Sequence, residues 1–491
     1  MPTRWWSRCV SALCWLTVVT ALLTGCEEEP DMNGTGGGSA GGVATGGGSA
    51  GGSGGAGGAG GGSTNSACQG TILVISADTT WSGALTVDCT VLVSSAATLT
   101  IAPGAAVRLG GPVEVAGSLR IEGTAASPVT VSRAGATPWG PITLQPGQGG
   151  ARVFSLKHVT FTGGGEATPV EMSSTMGAAL VLQADNTPLL VDTVTVDGAS
   201  GVGVVVQNGA FAAGSTGLTV RNSGSYAMFV TTRSLGSIPS GSYAQNGKPG
   251  ILTGTGWRVP FSQATRITTD TTIKKLDAPY VVGTGTYTAS IVISTVQDGP
   301  PTFATTPLVT IEPGVELKFS KVRGVNAVAS KLNIDSAPDN GVWKPLGAVR
   351  AVGTMAEPIT FTSAEATPAP GDWATIALEE LDARTSLDRV VIAYAGANAA
   401  AIGSCLTGSP TAGGGSDKDG DAALQQFMNT GAPSRSPLTN SVVRDSAGGG
   451  VYRAFTGTDV DFTATNTFTN IAWCRQTPVV LTNGCFPMMC N

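Results

Sequence analysis

The chain has 491 residues, of which only 12% are charged and 70 are glycine, and its 27 basic and 33 acidic residues give a formal net charge of −6. Globular chains usually carry about 25% charged residues, so this composition favours repetitive β structure. The negative balance makes nucleic acid and anionic lipid poor partners, because both are themselves negatively charged.

The N-terminus has the pattern of an export signal. Arg4 and Arg8 accompany an almost wholly apolar run at residues 10–23, which is too short to span a ~30 Å hydrocarbon core comfortably. The run ends at residues 23–26 (LTGC), which resemble the lipobox of bacterial lipoproteins. The resemblance implies a signal peptide at residues 1–25 and a lipidated first mature residue, Cys26. An ordinary secretory signal with a chance cysteine is the alternative.

The segment that follows Cys26 has the composition of a tether. After a few acidic residues, it consists almost entirely of Gly, Ser, Ala and Thr as far as residue 66, and such a chain cannot bury enough apolar surface to fold. A flexible linker of this length spans on the order of 35 Å. We therefore expect an exported protein that lipid holds to a membrane of the cell envelope, with the outer membrane or cell surface favoured.

Cysteine usage agrees with an oxidising compartment, because six cysteines remain after the signal and Cys26 are set aside. They lie at the start and towards the end of the folded region: Cys68, Cys89, Cys405, Cys474, Cys485 and Cys490. Six cysteines allow fifteen connectivities, so the sequence predicts only that disulfides hold both ends. Zinc is the rival interpretation, but no CxxC pair occurs and the only histidine, His158, is distant in sequence.

From about residue 67 onward, apolar residues alternate in short runs between Gly, Pro, Ser, Ala and Asn. Period-two alternation without long helical periodicity predicts short strands with one buried face. The runs recur, since Leu119 follows Leu99 by 20 residues and Val129 follows Val107 by 22. These intervals match one coil of a β-solenoid, in which each coil stacks on the last.

A longer repeat indicates two copies of one unit. Residues 100–104 (TIAPG) return as residues 310–314 (TIEPG), and Trp139 in the first copy matches Trp373 in the second. We expect the two units to form a continuous or nearly continuous solenoid. The predicted parts are the signal peptide at 1–25, the lipidated cysteine and linker at 26–66, the first β-helix unit at 67–260, and the second at 261–491, with insertions near 322–342 and 403–436 and a Cys-rich C-terminal end.

The repeated strings resemble right-handed parallel β-helix proteins of the pectin-lyase-like group, especially bacterial lipoproteins of that kind. Residues 98–109 (TLTIAPGAAVRL) and 309–319 (VTIEPGVELKF) carry the resemblance, which covers most of residues 70–475. It implies an all-β, right-handed parallel β-helix, in which Pro-Gly forms turns and threonine and valine stack in strands. Such motifs specify a fold, and a fold alone does not assign a function.

Catalytic motifs of that group are missing. Its pectin-cleaving and polygalacturonan-hydrolysing members use clustered aspartates, basic residues or a Gly-His-Gly segment, whereas His158 lacks flanking glycines and matches Arg389 in the second copy. We therefore predict that His158 is a non-catalytic residue facing solvent beside a strand. The absence of a G-x-S-x-G elbow makes nucleophilic hydrolysis a poor candidate as well.

One acidic group remains as a candidate for glycoside hydrolysis, which needs two carboxyl groups across the sugar bond. Its members are Glu379, Glu380, Asp382, Arg384, Asp388 and Arg389. Asp382 and Arg384 would share a face if the segment were extended. The matching stretch of the first copy contains no acid, so a solvated loop with surface ion pairs is the favoured interpretation.

One further motif suggests a metal-binding site. Asp417, Asp419 and Asp421 alternate as do the early ligands of a calcium loop, in which carboxylate oxygens converge on one ion. An EF-hand would continue with glycine and glutamate where this chain has Ala422 and Met428. Ca²⁺ is therefore the one cofactor that the sequence proposes, and a flexible acidic insertion is the alternative.

Tryptophans supply the candidate ligand contacts, since exposed aromatic rings in a β-helix groove form a natural sugar-binding surface. Trp139 and Trp373 occupy matching places in the two copies, which favours a packing role for both. Trp257 and Trp343 have no counterparts and are the ligand-binding candidates.

The favoured function is a membrane-anchored cell-envelope lipoprotein whose β-helix binds glycan or a surface protein without catalysis. The alternative is a polysaccharide lyase or glycoside hydrolase of the pectin-lyase-like group, which the missing histidine and acid motifs disfavour. The expected partners are a membrane, through the lipid, and a glycan or envelope protein, with no nucleic acid.

Overall fold

The computed structural model describes parts of one compact unit, Ser63–Asn491. The described residues are 68, 70–146, 151–165, 167–171, 174–184, 187–207, 209–254, 266–284, 290–295, 301–321, 330–397, 422–479 and 490. Within them the chain forms short β-strands and one 3₁₀ helix, Thr232–Ser237. The all-β composition that the alternating apolar runs predict is confirmed.

The strands are short because the alternation of inward and outward side chains lasts only a few residues before each turn. In the first half of the unit they are β1 (Ile72–Ile75), β2 (Thr79–Trp81), β3 (Ala84–Val87), β4 (Thr90–Val93), β5 (Thr98–Ile101), β6 (Ala106–Leu109), β7 (Val113–Val115), β8 (Ser118–Glu122), β9 (Val129–Arg133), β10 (Ile142–Leu144), β11 (Phe154–Thr162), β12 (Ala167–Glu171), β13 (Ser174–Leu182), β14 (Leu189–Asp197), β15 (Val202–Val206), β16 (Thr216–Arg221), β17 (Met228–Thr231), β18 (Ser240–Ser242) and β19 (Ile251–Gly254).

The second half continues in the same way. Its strands are β20 (Arg266–Ile267), β21 (Thr271–Ile273), β22 (Tyr280–Val282), β23 (Ile291–Ile293), β24 (Leu308–Ile311), β25 (Glu316–Phe319), β26 (Leu332–Ile334), β27 (Ser336–Asp339), β28 (Val342–Pro345), β29 (Ala348–Val352), β30 (Ile359–Ser363), β31 (Ile376–Glu379), β32 (Ser386–Asp388), β33 (Val390–Ala393), β34 (Ala422–Phe427), β35 (Leu438–Thr439), β36 (Val442–Ser446), β37 (Gly449–Ala454) and β38 (Thr467–Ile471).

These strands stack into four long sheets, so that successive coils pair in parallel. Sheet 1 runs β1-β4-β7-β10-β13-β15-β17-β19-β22-β25-β30-β33-β36-β38. Sheet 2 contains β2, β3, β5, β6, β8, β9, β11, β14, β16 and β18; sheet 3 runs β20-β23-β26-β31-β34-β37; and sheet 4 runs β21-β24-β29-β32-β35. Parallel pairing of each strand with its counterpart one coil later is the architecture of a parallel β-solenoid, as the repeat spacing predicts.

Register in the first coils follows the apolar pattern closely. Leu99 pairs with Leu119, as the 20-residue interval predicts. Val107 pairs with Val131, however, which lies two residues beyond its predicted partner, because the turn at residues 123–128 lengthens this coil. A shift of two residues keeps the same side chains inward, so the core is filled in either register.

The repeated Pro-Gly turns have the same geometry in both halves. Gly104 and Gly314 have φ angles of 73° and 76°, a conformation that glycine adopts without strain. The Gly104 N–H donates to the Ser127 carbonyl at 2.9 Å, and the Gly314 N–H donates to the Glu357 carbonyl at 3.1 Å. Each turn is therefore fixed to the next coil by an equivalent hydrogen bond.

The matching tryptophans are likewise equivalent. Trp139 and Trp373 are both fully buried. The indole N–H of Trp139 donates to the Thr162 carbonyl at 2.9 Å, and that of Trp373 donates to the Ala393 carbonyl at 2.8 Å. The packing role predicted for both rings is confirmed. Two tandem copies remain a prediction, which these paired contacts support.

The equivalent strands do not lie in the same sheet. Trp139 precedes β10, which belongs to sheet 1, whereas Trp373 precedes β31, which belongs to sheet 3. Sheet 1 nevertheless runs without a break from β10 through β22 to β30. If the two halves are copies, the second is therefore offset from the first by one sheet around the solenoid, although the stack is continuous.

Disulfides lie near both ends of the described stack. Cys68 bonds to Cys89 across 21 residues, and Cys474 bonds to Cys490 across 16. Cys405 and Cys485 lie outside the described residues, so the disulfides expected of them, with partners left open, are still a prediction. Solenoids unfold most readily from their terminal coils, where one neighbour is missing. The two disulfides therefore restrain the terminal coils, which would otherwise unfold most readily.

Loss of the first bond is expected to loosen the first coil. In the double variant Cys68→Ser/Cys89→Ser, release of the loop should lower local stability by about 3 kcal/mol. That loss corresponds to roughly 100-fold faster hydrogen exchange in β1 and β4, measured by mass spectrometry. Exchange in β36 and β38, at the other end, serves as the internal control. Unchanged protection of β1 would contradict the expected role.

Candidate functional site

Several predicted site residues fall outside the described part of the chain. They are Cys26, Trp257, Cys405, Asp417, Asp419, Asp421 and Cys485. Lipid attachment and the Ca²⁺ site therefore stay as predictions. Among the described residues, no group of three or more His, Cys, Asp or Glu side chains is placed to hold a metal ion.

His158 lies where the chain bends between two paired segments of β11. Its φ angle is 41°, and that of Arg389, its counterpart in the second half, is 51°. Both residues are half-buried. They share an unusual backbone conformation while differing in side chain, which points to a turn position rather than a catalytic one.

The acidic group predicted from the sequence does not form one site. Asp382 and Arg384 lie in a turn and form an ion pair at 2.8 Å, so this segment is a loop with a surface ion pair, the interpretation favoured from the sequence, and is not extended. The Asp382 carboxylate accepts hydrogen bonds from the backbone and guanidinium of Arg384 at 2.8–3.0 Å, which holds the pKa of Asp382 below its usual value despite the opposing effect of burial. Glu380 is buried and accepts from the Asn429 N–H, and Asp388 accepts from Thr439 at 2.9 Å.

Glu379 instead joins polar residues of other coils on the outer face of sheet 3. Ile334 and Leu378 pair with each other and belong to the core, so alternation turns Asn333, Asp335 and Glu379 outward. Asp335 directly follows Ile334, and Glu379 directly follows Leu378. The two carboxyl groups therefore belong to neighbouring strands of adjacent coils, whose backbones are about 4.8 Å apart. Sheet 3 thus brings two carboxyl groups together from positions distant in sequence.

Two basic residues and an asparagine complete this group, which we call the Glu379 cluster: Arg266, Lys331, Asn333, Asp335 and Glu379. Arg266 forms an ion pair with Asp335. The Asn333 amide donates to Asp335, and it lies close enough to Glu379 to oppose the rise in the pKa of that carboxyl. Its side-chain oxygen is buried and has no hydrogen-bond partner among the described residues. The orientation of the amide follows from the carboxylate that its nitrogen faces.

Burial disfavours the charged forms of two members of the cluster, Glu379 and Lys331. Burial, followed by the nearby Asp335 carboxylate, raises the pKa of Glu379. Burial lowers the pKa of Lys331, although Glu379 and Asp335 act in the opposite direction. Groups with shifted pKa values are concentrated at functional sites. The Glu379 cluster is therefore our candidate site.

An antiparallel hairpin, β27–β28, rises directly beside the cluster. The Ser336 hydroxyl donates to the Glu379 carboxyl at 3.3 Å, and Pro338 pairs with Trp343. Residues of one strand alternate between faces and paired residues share a face, so Ser336 and Trp343 lie on the same side of the hairpin. Trp343 is 38% exposed. An exposed aromatic ring thus stands on the side from which the hairpin contacts Glu379.

The opposite face of the hairpin is held by charges. The Lys344 ammonium is 2.7 Å from Asp339 and lies 5.7 Å from the centre of the Phe303 ring. Val342 on this face is 53% exposed. The hairpin therefore has two different faces, one towards the Glu379 cluster and one fixed by an ion pair.

The first half has a simpler version of the cluster. By the matching of Trp139 with Trp373, Glu114 corresponds to Asn333 and Gln145 to Glu379. The Gln145 amide donates to Glu114 at 2.6 Å. Both halves therefore have one carboxyl group and one amide at these two positions, but the position that carries the carboxyl group in one half carries the amide in the other. Ala116 stands where the second half has Asp335. The second carboxyl group distinguishes the Glu379 cluster.

Sequence reasoning found Glu379 and Trp343 but missed Arg266, Lys331, Asn333 and Asp335. One signal was available, because residues 331–335 (KLNID) alternate polar and apolar side chains with three large polar groups on the outer face.

A surface cavity of about 740 Å³ lies far along the chain from the cluster, beside the Cys68–Cys89 disulfide. Its lining is mostly backbone and small side chains, with Asp88 as the one titratable residue that is not in a disulfide. The residues that line it include no aromatic side chain, so this cavity lacks the ring surface that a sugar stacks on. We therefore favour the Glu379 cluster over this cavity.

Comparisons with protein-family models, curated proteins and solved structures gave no match to this chain. No helix of the described residues is both long and apolar enough to cross a membrane.

The raised pKa of Glu379 has a measurable consequence for stability. Below the ordinary carboxyl pKa of 4.5 the side chain is neutral in both the folded and the unfolded protein. As the pH rises, the unfolded chain ionises first, so the folded state loses stability until the pH exceeds the folded pKa. Glu379→Gln removes this effect. Its free energy of unfolding relative to the parent should therefore increase from acidic to neutral pH in urea titrations, and a constant difference would contradict the assignment.

Proposed function

We propose that this chain is an exported, lipid-anchored protein of the cell envelope whose parallel β-solenoid binds glycan, without cleaving it, at the Glu379 cluster and Trp343. One observation carries the proposal: an exposed aromatic ring, that of Trp343, faces the same side as a group of partly buried polar side chains, in which the Asn333 oxygen has no partner among the described residues. Sugars present both apolar faces and hydroxyl groups, so recognition needs this combination.

The anchor and linker supply the rest of the proposal. Residues 1–66 have the pattern of a lipoprotein signal, an acylated cysteine and a flexible tether. A tether with a span on the order of 35 Å lets the folded unit reach polymers beyond its own membrane. The pectin-lyase-like resemblance supports a solenoid adapted to long chains.

A glycoside hydrolase of the pectin-lyase-like group is the second candidate, and Asp335 and Glu379 are the observation that favours it. A carboxyl group with a raised pKa beside a second carboxylate is the requirement for general acid catalysis of glycoside cleavage. Asp335, however, is engaged by both Arg266 and Asn333. A base or nucleophile held in this way is poorly placed to act, so we favour binding.

The two functions differ in what they release. The full chain, solubilised in detergent, is incubated with dextran, soluble β-1,3-glucan, starch, polygalacturonate and alginate. Retention is followed by affinity electrophoresis, and the release of reducing or unsaturated ends is followed in parallel. Retention without new ends is the expected result. New ends that disappear in Glu379→Gln would establish the hydrolase instead, and absence of both would remove the glycan proposal.

A further inference from the structure

The Glu379 cluster holds equal numbers of acidic and basic side chains. Arg266 is already paired with Asp335, and Lys331 lies close enough to Glu379 and Asp335 for both to affect its pKa. The cluster therefore has no cation in excess for an anionic ligand, and the formal charge of the whole chain is −6. Because its two basic side chains only balance its two carboxyl groups, the cluster offers a polyanionic glycan no net positive charge.

The groups that the cluster does offer suit hydroxyls. The Asn333 oxygen is an acceptor without a partner among the described residues, on a side chain only 5% exposed. A buried acceptor left without a donor is unfavourable, so a ligand hydroxyl that reaches it gains a hydrogen bond that the described side chains do not provide. The Glu379 carboxyl, which accepts from Ser336 at 3.3 Å, offers further acceptor positions.

The hairpin adds the apolar half of the site. Pro338, the partner of Trp343, lies two residues beyond Ser336 on the same face, a separation of about 7 Å along the strand. One sugar ring bridges that distance. A ring placed against Trp343 thus directs hydroxyls towards Ser336 and Glu379.

We propose that the Glu379 cluster and Trp343 bind an uncharged, hydroxyl-rich polysaccharide, one hydroxyl of which donates to the Asn333 side-chain oxygen. This inference rests on the proposed glycan-binding function and narrows it to one ligand class. We expect uronate polymers to bind more weakly, because the cluster has no net positive charge to attract them.

Salt dependence separates the ligand classes without any variant. The detergent-solubilised full chain is tested by affinity electrophoresis against dextran, soluble β-1,3-glucan and starch as uncharged probes and polygalacturonate and alginate as anionic ones. At least one uncharged probe should retain the chain equally at low and high NaCl, because such binding is not screened by salt. Retention by an anionic probe alone overturns the inference while leaving the glycan proposal intact. Retention by none removes both.

Asn333→Ala tests the contact itself, with Asn440→Ala as the matched control. The Asn440 amide also donates to a carboxylate, that of Asp388 at 2.7 Å, but lies away from sheet 3. We expect at least tenfold weaker binding of the uncharged probe by Asn333→Ala and less than twofold change in Asn440→Ala. Equal affinities of both variants and the parent would overturn the inference. Near-ultraviolet circular dichroism identifies a misfolded variant, in which case Asn333→Ser carries the same expectation.

Discussion

Replacement of Trp373 by alanine is expected to lower the free energy of unfolding by about 3–5 kcal/mol, as is usual when a large buried aromatic side chain is removed. Trp373 is fully buried and stacks on Phe319, with 4.4 Å between ring centres. Its indole N–H donates to the Ala393 carbonyl at 2.8 Å, so truncation removes a packed ring and leaves a carbonyl without its donor.

The exposed Trp343 provides the matched control for this change. Trp343→Ala removes the same atoms from a ring that is 38% exposed, and it should change stability by less than about 1 kcal/mol. Trp373→Phe separates the two contributions, because it keeps a ring and removes the indole donor. Urea unfolding followed by circular dichroism gives all three values. A loss below 1 kcal/mol in Trp373→Ala would contradict the packing role.

Cys26→Ser is expected to transfer the chain from the membrane fraction to the soluble fraction and to abolish incorporation of labelled palmitate. The reason is chemical, since acylation requires the thiol, and stable anchoring needs more than one acyl chain. The cysteines of the signal region supply the controls. Cys9→Ser and Cys14→Ser should leave both palmitate labelling and fractionation unchanged.

Palmitate labelling of Cys26→Ser would contradict the anchor directly. Membrane retention of an unlabelled Cys26→Ser chain would point instead to an uncleaved signal. The two readouts together distinguish a lipid anchor from an ordinary secretory signal with a chance cysteine, the alternative that the sequence leaves open.

Most of the fold was predictable because a parallel solenoid is encoded locally. Two or three alternating apolar residues indicate each strand. The coil length can be read as the sequence interval between equivalent apolar residues, such as Leu99 and Leu119. The exact register was less predictable, since Val107 and its partner Val131 differ from the expected interval by two residues. The length of the turn sets the register. The apolar pattern does not distinguish registers that differ by two residues, because both place the same side chains in the core.

The candidate site was predictable only in part, because its members come from different coils. Trp343 could be singled out because it has no matching tryptophan in the first copy. Glu379 could be singled out because it belongs to the acidic group near residue 380. Nothing in the sequence shows that Asp335 neighbours Glu379, which follows from the pairing of Ile334 with Leu378. The sequence also did not show that equivalent strands of the two halves lie in different sheets. Aligning the two halves identifies equivalent strands but does not say to which sheet each belongs.

The comparison of Trp343→Ala with Val342→Ala tests the glycan-binding claim most directly. Both residues are exposed on the same hairpin, but only Trp343 lies on the face that contacts Glu379. In affinity electrophoresis against the polysaccharide that retains the parent chain, Trp343→Ala should bind at least tenfold more weakly, a loss of about 1.4 kcal/mol, and Val342→Ala should stay within threefold. Parent-like affinity of Trp343→Ala would contradict the account.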